Sequence, residues 1–205
     1  MSTAKVYLVD DDEEMLKALS RLLRTRGYTV EAYSSAKRFA SSYKPSPSCC
    51  LVLDVAMPEI NGLELQDRLS RNGVLLPIVF LTGHGDIPMS VRAIKAGAVD
   101  FLTKPVDHAD LVRAVQAALA RSAAQSSEHE ELTDLSNRLA TLTPREREVL
   151  EHVITGKLNK QIAADLGTTE QTVKVHRMRV TAKMGIASAV ELARAAQRLG
   201  VNQAT

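Results

Sequence analysis

The stretch 49–54, Cys-Cys-Leu-Val-Leu-Asp, constrains the fold of this chain more than any other. Its first five residues carry apolar or thiol side chains. Such a run predicts a strand that is buried on both faces, as in a parallel sheet. Asp54 ends the run, and Pro58 and the pair Asn61-Gly62 then break the chain into a loop. Because open parallel sheets bind ligands just beyond the carboxyl ends of their strands, Asp54 occupies a position typical of a functional site. A residue that merely ends a strand or caps a helix would occupy the same position.

Strand-and-helix units recur along residues 1–120. Short apolar segments predict five strands, at 5–9, 28–33, 49–53, 77–81 and 100–102. Segments with apolar residues at helical spacing follow each strand, at about 12–26, 35–43, 62–71, 87–96 and 107–119. Five such units in a row predict a (βα)5 fold, a doubly wound parallel sheet with helices on both faces.

Polar side chains stand where the predicted strands end. Asp10 and Asp11 follow the first strand, and Asp54 ends the third. Thr82 ends the fourth, and Lys104 comes shortly after the fifth. These ends all lie on one rim of a parallel sheet, where three carboxylates would repel one another unless a cation lay among them.

Mg²⁺ is the cation that suits such a rim, because it binds one or two carboxylates and keeps positions for water and phosphate. Asp54 can then act as a nucleophile, since carboxylates form aspartyl-phosphate intermediates. Lys104 and Mg²⁺ would stabilise the charge of a transferring phosphoryl group, and the Thr82 hydroxyl can donate to one of its oxygens. The pattern predicts a magnesium-dependent phosphoryl site.

The next segment, 121–141, predicts a helical linker. It begins with Ala, Ser and Glu and continues with leucines three, four and three residues apart, at Leu132, Leu135, Leu139 and Leu142. This is coiled-coil-like spacing, but it covers barely two heptads, too few to hold a dimer alone. A helix that packs on its own chain would give the same pattern, so both interpretations stay open.

Residues 142–205 predict four helices with well-marked starts. Thr143 opens a capping box with proline at the first helical turn, and Ser188 opens a second box. Asn159 is predicted to cap the helix 160–166. The turn Gly167-Thr168 separates this short helix from the one that follows, an arrangement typical of helix-turn-helix proteins.

Charge is concentrated in this last segment. Residues 141–205 carry 10 basic and 6 acidic side chains, whereas residues 1–120 carry 14 of each. The basic segment is therefore the part expected to meet a polyanion, and its helical motif indicates double-stranded DNA. A solvated basic face is the plainer alternative, which the turn, the caps and the charge together outweigh.

The second helix of the motif is predicted to enter the major groove by its N-terminal half. Its expected base-reading residues are Lys174, Val175, His176 and Met178. Phosphate contacts are expected from its other basic residues, Arg177, Arg179 and Lys183. Asn159 and Lys160, on the preceding helix, complete the predicted DNA-binding set. Val173, Val180 and Met184 are expected to face the core.

Composition excludes several other classes. The only cysteines, Cys49 and Cys50, are adjacent within an apolar run, which disfavours a disulfide or a zinc site. The chain has no Trp and 3% aromatic residues, which disfavours binding by base stacking. No apolar run approaches the ~20 residues that span a bilayer, and no signal peptide is evident. We expect a soluble, cytoplasmic protein without a membrane partner.

The strand ends of residues 1–120 resemble the receiver domain of two-component response regulators. Four motifs carry this resemblance: Val9-Asp10-Asp11, Leu53-Asp54 with Met57-Pro58 and Gly62, Leu81-Thr82, and Phe101 to Lys104-Pro105. The resemblance implies that Asp54 accepts a phosphoryl group from a histidine kinase. It also implies that Asp10, Asp11, Asp54 and the backbone carbonyl of Ala56 hold Mg²⁺, that Lys104 stabilises the phosphoryl group, and that Thr82 and Phe101 form a switch pair. Ala56 departs from the family pattern, which often has a larger side chain there.

Residues 142–205 resemble a LuxR-type helix-turn-helix domain. The resemblance rests on three segments: 142–150, Asn159-Lys160-Gln161-Ile162-Ala163, and Thr172-Val173-Lys174-Val175-His176. It implies that Lys174 and Val175 read bases and that 188–199 form a dimer contact on DNA. The whole chain resembles a NarL/FixJ-type response regulator, with residues 83–86 closer to the FixJ side. The implied domains are a receiver at 1–120, a helical linker at 121–141 and a DNA-binding domain at 142–205.

The implied function is phosphorylation-driven homodimerisation and control of transcription, with RNA polymerase as a further expected partner. One alternative is a DNA-binding regulator whose receiver no longer takes phosphate, but the complete set of rim residues disfavours it. Another is a phosphatase of the haloacid-dehalogenase kind, which would use a second acid two residues after its nucleophile. Ala56 stands at that position. We therefore expect no enzymatic turnover.

Overall fold

The structure is a computed structural model that describes residues 4–83 and 87–201. It divides into two compact units, Met1–Ser127 and Glu128–Thr205. Of residues 83–86, which resemble the FixJ side of the family, 84–86 lie outside the described residues. Among those that are described, no helix is both long and apolar enough to cross a membrane.

The first unit contains a sheet of five parallel strands in the order β2-β1-β3-β4-β5. The strands are β1 (Lys5–Val9), β2 (Thr29–Tyr33), β3 (Cys49–Asp54), β4 (Ile78–Thr82) and β5 (Asp100–Thr103). The helices that follow them are α1 (Glu13–Thr25), α2 (Ala36–Ser42), α3 (Gly62–Arg71), α4 (Ile87–Lys95) and α5 (His108–Ala140). The predicted (βα)5 fold is confirmed.

The central strand β3 pairs with β1 on one side and β4 on the other, and all of its residues are buried. Its side chains alternate between two cores. Leu51 and Leu53 pack in one core with Phe39 of α2, and Cys50 and Val52 pack in the other with helices α1 and α5. The two faces are therefore covered by different helices, as a doubly wound sheet requires. Burial raises the pKa of both cysteine thiols, Cys49 and Cys50, which are free.

Helix α5 is much longer than the sequence predicted. The fifth helix was expected to end near residue 119, but it continues to Ala140 as one element. No glycine or proline interrupts it, and its middle is rich in good helix formers such as Ala, Glu and Gln. Within the first unit, its serines contact the chain that leads into β3. Ser122 Oγ accepts the Cys49 N–H at 3.2 Å, and Ser126 Oγ donates to the Pro47 carbonyl at 2.8 Å.

The second unit consists of the end of α5 and four further helices, α6 (Pro144–Val153), α7 (Asn159–Asp165), α8 (Glu170–Met184) and α9 (Ala189–Arg198). Leu139 and Leu142 are buried in its core, and Leu135 packs against them. Three of the four leucines in this segment thus pack on their own chain, which agrees with one of the two open interpretations.

The predicted helix starts in this unit are largely confirmed. Thr143 and Glu146 form both halves of the capping box, and Ser188 accepts the Glu191 N–H. The prediction that Asn159 caps the next helix is wrong. Helix α7 already begins at Asn159, and Gln161 Oε1 accepts the N–H of Leu158 at 2.8 Å instead.

Candidate functional site

Three carboxylates meet at the rim of the sheet, as predicted. Asp10 follows β1 and Asp54 ends β3, and each is 2% exposed, whereas Asp11 is exposed. Because β1 and β3 are parallel neighbours with Val9 opposite Leu53, their ends lie side by side. One carboxylate oxygen from each aspartate lies within 4.8 Å of the others.

Lys104 lies in the same cluster. Its Nζ is 2.7 Å from Asp10 Oδ2 and 2.7 Å from Asp54 Oδ1. Its backbone N–H donates to the carbonyl of Thr82 at 2.7 Å, so the loop after β5 is held to the end of β4. The peptide bond from Lys104 to Pro105 is cis. The lysine therefore faces two of the three aspartates from across the end of β4.

Burial and hydrogen bonding have opposite effects on the pKa values of Asp10 and Lys104. Burial raises the pKa of Asp10 above its usual value, although hydrogen bonds from Lys104 and from the backbone N–H of Asp12 oppose the effect. Burial alone would lower the pKa of Lys104, but its hydrogen bonds to Asp10 and Asp54 outweigh burial and raise that pKa. Lys104 is thus a charged group that offsets part of the repulsion between the carboxylates.

Asp54 has one oxygen that is not satisfied by the protein. Its Oδ1 accepts from Lys104, but its Oδ2 is buried and has no hydrogen-bond partner among the described residues. Buried polar atoms are nearly always paired, so an unpaired carboxylate oxygen calls for an explanation. A cluster of aspartate oxygens is the donor set that Mg²⁺ prefers, and the site fits this cation. Ala56 is exposed in the loop after β3, and its role as a backbone ligand stays a prediction.

Gly62 allows the loop to fold back closely on Asp54. Its N–H donates to the Val55 carbonyl at 3.0 Å. A Cβ at this position would lie 2.4 Å from the Asp54 carbonyl oxygen and 3.1 Å from the Val55 Cα. The sequence motif contained this glycine without explaining it. The reason is the close approach of α3 to the end of β3.

The predicted switch pair lies on the two strands beyond β3. Thr82 is buried at the end of β4, next to Leu81, which pairs with Asp54. Phe101 is half-buried on β5, and its ring centroid is 6.0 Å from that of Phe80. Thr82 therefore shares the rim with the aspartates. The switching roles of Thr82 and Phe101 stay predictions.

In the second unit, α8 separates a buried side from an exposed one. Val173, Val180 and Met184 are buried, as predicted. Most of the predicted DNA-binding residues lie away from this buried side. Exposed members are Lys160, Lys174, Met178 and Arg179, and half-buried members are Asn159, Val175, His176, Arg177 and Lys183.

Two of the predicted phosphate-binding residues have protein partners. Lys183 Nζ donates to the buried carboxylate of Glu146 at 2.6 Å and to the Thr141 carbonyl at 3.0 Å. The hydrogen bond from Lys183, with help from the Thr143 N–H, lowers the pKa of Glu146 to about 2. Arg177 donates to Asn159 Oδ1 at 2.8 Å and so joins α8 to α7. The sequence offered no signal for either pairing.

His176 differs from its neighbours on α8. The ring is half-buried, and its Nδ1 is buried with no hydrogen-bond partner among the described residues. A base-reading role for this side chain, expected from the sequence, stays a prediction.

Two family models match the chain. "Response regulator receiver domain" matches residues 6–116, and "Bacterial regulatory proteins, luxR family" matches residues 140–196. The response regulator protein TodT of Pseudomonas putida is 46% identical over 194 residues, which cover 95% of this chain and 86% of TodT. The transcriptional regulatory protein FixJ of Azorhizobium caulinodans is 43% identical over 196 residues, covering 96% of this chain and 93% of FixJ.

A solved structure gives the same result. The response regulator StyR is 41% identical, with a TM-score of 0.84, and the match covers 96% of this chain and 100% of that one. Both the receiver rim and the helix-turn-helix unit thus have relatives that combine them in one chain. The chain therefore belongs to the NarL/FixJ-type response regulators, the transcription regulators of two-component systems that join a receiver domain to a LuxR-type DNA-binding region.

Proposed function

We propose that Asp54 accepts a phosphoryl group from a histidine kinase and that this event controls DNA binding by the second unit. The observation that carries the proposal is the buried Oδ2 of Asp54, which lacks a hydrogen-bond partner although it lies among Asp10, Asp11 and Lys104. An oxygen in that state is available to attack phosphorus. A regulator with an inactive receiver would give this oxygen no such use, and a phosphatase would also need a general acid at the position of Ala56.

In the proposed reaction, a carboxylate oxygen of Asp54 attacks the phosphorus of a phosphohistidine. The new P–O bond forms as the P–N bond breaks, and the imidazole leaves with the electron pair of the broken bond and takes up a proton. Mg²⁺, held by Asp10, Asp11, Asp54 and the Ala56 carbonyl, would supply positive charge to the phosphoryl oxygens. Lys104 gives up its contact with Asp54 Oδ1 and binds a phosphoryl oxygen instead.

The signal then passes from the rim to a surface of the receiver. The Thr82 hydroxyl turns to the phosphoryl group and Phe101 rotates inward. The surface of α4 and β5 rearranges as a result. Helix α4 already presents Ile87, Val91 and Ile94 to solvent, and Ile87 is 79% exposed. An apolar patch of this kind suits a protein interface, so we assign it to a receiver homodimer.

Dimerisation controls output by placing two DNA-binding domains on two half-sites. Holding both in one dimer raises their effective concentration on DNA, and no new DNA contact is needed. We assign residues 1–120 to the receiver, 121–141 to the linker and 142–205 to DNA binding, with α9 contributing a dimer contact on DNA. The protein binds double-stranded DNA in the cytoplasm. Once bound to DNA, it acts on RNA polymerase.

The hydrogen bonds that α8 side chains make within the protein guide their assignment to DNA or to the core of the unit. Lys174 and Arg179 are exposed and have no hydrogen-bond or ion-pair partner within the described residues, so we assign them to DNA. Lys160, at the start of α7, is exposed and joins them. Lys183 is engaged with Glu146, and we assign it to the core of the unit rather than to phosphates.

The test uses the full chain, acetyl phosphate and Mg²⁺. Wild type is expected to shift from monomer to dimer in light-scattering chromatography, and Asp54→Asn is expected to stay monomeric because its amide is not a nucleophile for the donor. Asp67→Asn is the matched control, since Asp67 lies exposed on α3 and, among the described residues, pairs only with Arg71. A dimer formed equally by Asp54→Asn would refute the proposed role of Asp54.

The two alternatives make different predictions. A regulator with an inactive receiver would bind its operator with the same affinity with or without phosphodonor. A phosphatase would turn over simple phosphate esters, which we do not expect because Ala56 offers no general acid two residues after Asp54. Steady release of phosphate from such esters would favour the enzyme.

A further inference from the structure

The exposed side of α8 carries a residue to which neither the sequence nor the proposed function has given a role. Val173, Val180 and Met184 mark the buried side of this helix. Residues three, four and seven positions apart share a face, so the side opposite those three can be identified. Gln171, Lys174, Val175 and Met178 lie on that side, toward the start of the helix.

These four residues form the accessible stripe of the helix. Gln171 and Lys174 are exposed, Val175 is half-buried, and Met178 is 64% exposed. Two polar or basic neighbours off the stripe have structural partners. Thr172 bonds Thr169 at the N-cap, and Arg177 bonds Asn159 on α7. The Gln171 side chain, by contrast, makes no hydrogen bond to any residue that the structure describes.

The position of Gln171 matters because it is the second residue of α8, which begins at Glu170. In helix-turn-helix proteins, the N-terminal residues of the second helix contact base edges in the major groove. Glutamine has a donor and an acceptor on one amide, and it pairs in two places with the N6 and N7 atoms of adenine. An uncharged amide is a weaker partner for phosphate than Lys174 or Arg179 is.

We propose that Gln171 determines specificity by reading an adenine in each half-site of the DNA. The apolar side chains of Val175 and Met178 continue the same stripe and suit contact with a neighbouring thymine methyl group. This inference rests on the proposed DNA-binding function of α8. It adds a residue, a base and a mode of recognition to that function.

The test is selection from a randomised duplex library with full-length protein that has been treated with acetyl phosphate and Mg²⁺. Wild type, Gln171→Ala and Gln171→Glu are compared. Gln116→Ala is the control, because Gln116 is exposed on α5 in the other unit. Circular dichroism checks that each variant keeps its helices, which is expected because position 171 is exposed and both substitutes are good helix formers.

Wild type is expected to select one adenine in each half-site that Gln171→Ala no longer selects, with a loss of preference of at least about fivefold. The other selected positions should be unchanged. Gln171→Glu should move the preference at that position to cytosine, whose N4 amino group is a donor. Gln116→Ala should match wild type.

The result that would overturn the inference is an unchanged selected sequence for both Gln171 variants. A change at a position other than an adenine would overturn the adenine assignment. Failure of wild type to select any sequence would instead refute the proposed DNA-binding function, and the inference with it. The two failures are thus distinguishable.

Discussion

At the scale of single residues, the receiver site depends on how tightly the backbone closes around Asp54. The Asp54 side chain is buried, and so is Leu53 before it in the strand. The backbone carbonyl oxygen of Asp54 faces Gly62 at the start of α3. Small changes in that backbone move the nucleophile, because packed interiors have little room to absorb added volume. Gly62 is the residue at which this constraint is most visible.

Replacing Gly62 with alanine is expected to destabilise the receiver and slow phosphorylation of Asp54. The added Cβ would lie 2.4 Å from the Asp54 carbonyl oxygen, which is backbone and cannot turn aside. Overpacking of this kind costs about 1 to 3 kcal/mol of unfolding free energy. Urea unfolding followed by circular dichroism measures the first effect, and the rate of reaction with acetyl phosphate measures the second.

Gly83→Ala is the matched control for stability. A Cβ there would meet no atom of the described residues within 4 Å, and the residue does not have a positive φ. Its unfolding free energy should stay within about 0.5 kcal/mol of wild type, as for most surface substitutions. Equal losses of stability in both variants would contradict the role assigned to the close approach of Gly62.

A second residue-scale prediction concerns the pair of Glu146 and Lys183. The pKa of Glu146 falls to about 2 because of the hydrogen bond from Lys183 and that from the Thr143 N–H. Its ordinary value is 4.5. The unfolded chain therefore binds this proton first as the pH falls. Stability from the pair is complete above about pH 4.5 and is lost progressively as the pH falls to about 2.

Glu146→Gln should be less stable than wild type at pH 7 by about 1 to 3 kcal/mol, the usual effect of losing a hydrogen bond to a charged group. Because glutamine does not titrate, the difference between the two proteins should shrink as the pH falls from 4.5 to 2. Thermal unfolding across that range is the measurement. Glu148→Gln is the control, since Glu148 is exposed and pairs with Arg145 on the surface. A difference that does not vary with pH would contradict the assignment.

At the scale of elements, α5 belongs partly to each unit. Its first residues cover one face of the sheet, and its last leucines enter the core of the second unit. Two serines between these ends contact the chain that leads into β3. Ser122 is buried and accepts the N–H of Cys49, which is the first residue of the strand that ends in Asp54.

Ser122→Ala is therefore expected to destabilise the first unit. The Cys49 N–H would be buried without its acceptor, which costs about 1 to 3 kcal/mol. Ser127→Ala is the matched control, because Ser127 is an exposed serine on the same helix. Hydrogen exchange at the Cys49 amide reports the lost bond directly. Equal protection of that amide in both variants would show that Ser122 does not hold the start of β3.

At the scale of the whole molecule, local patterns in the sequence were sufficient to predict most of the receiver site. The doubly buried run before Asp54 predicted β3, and the parallel sheet then brought Asp10, Thr82 and Lys104 to one rim. Each of these steps needs only strand periodicity and the rule that parallel strands end on the same side. The position of the pocket follows from topology alone.

Other features depend on tertiary contacts that no local pattern encodes. Lys183 was expected to bind phosphate because it is basic. Instead its Nζ donates to Glu146, which lies 37 residues away in the sequence. Asn159 looked like a helix cap, but the helix starts there and its side chain accepts from Arg177 instead. The fifth helix and the helical linker were predicted as separate segments, but they form one helix because no glycine or proline lies between them.

The central claim is that phosphorylation of Asp54 controls DNA binding, and operator affinity tests it most directly. The dissociation constant of full-length protein for a selected operator is measured with and without acetyl phosphate and Mg²⁺, for wild type and for Asp54→Asn. We predict that phosphodonor tightens wild-type binding by about tenfold or more, as expected when two linked domains bind together, and leaves Asp54→Asn unchanged. The same affinity for wild type under both conditions, or the same gain in Asp54→Asn, would contradict the account.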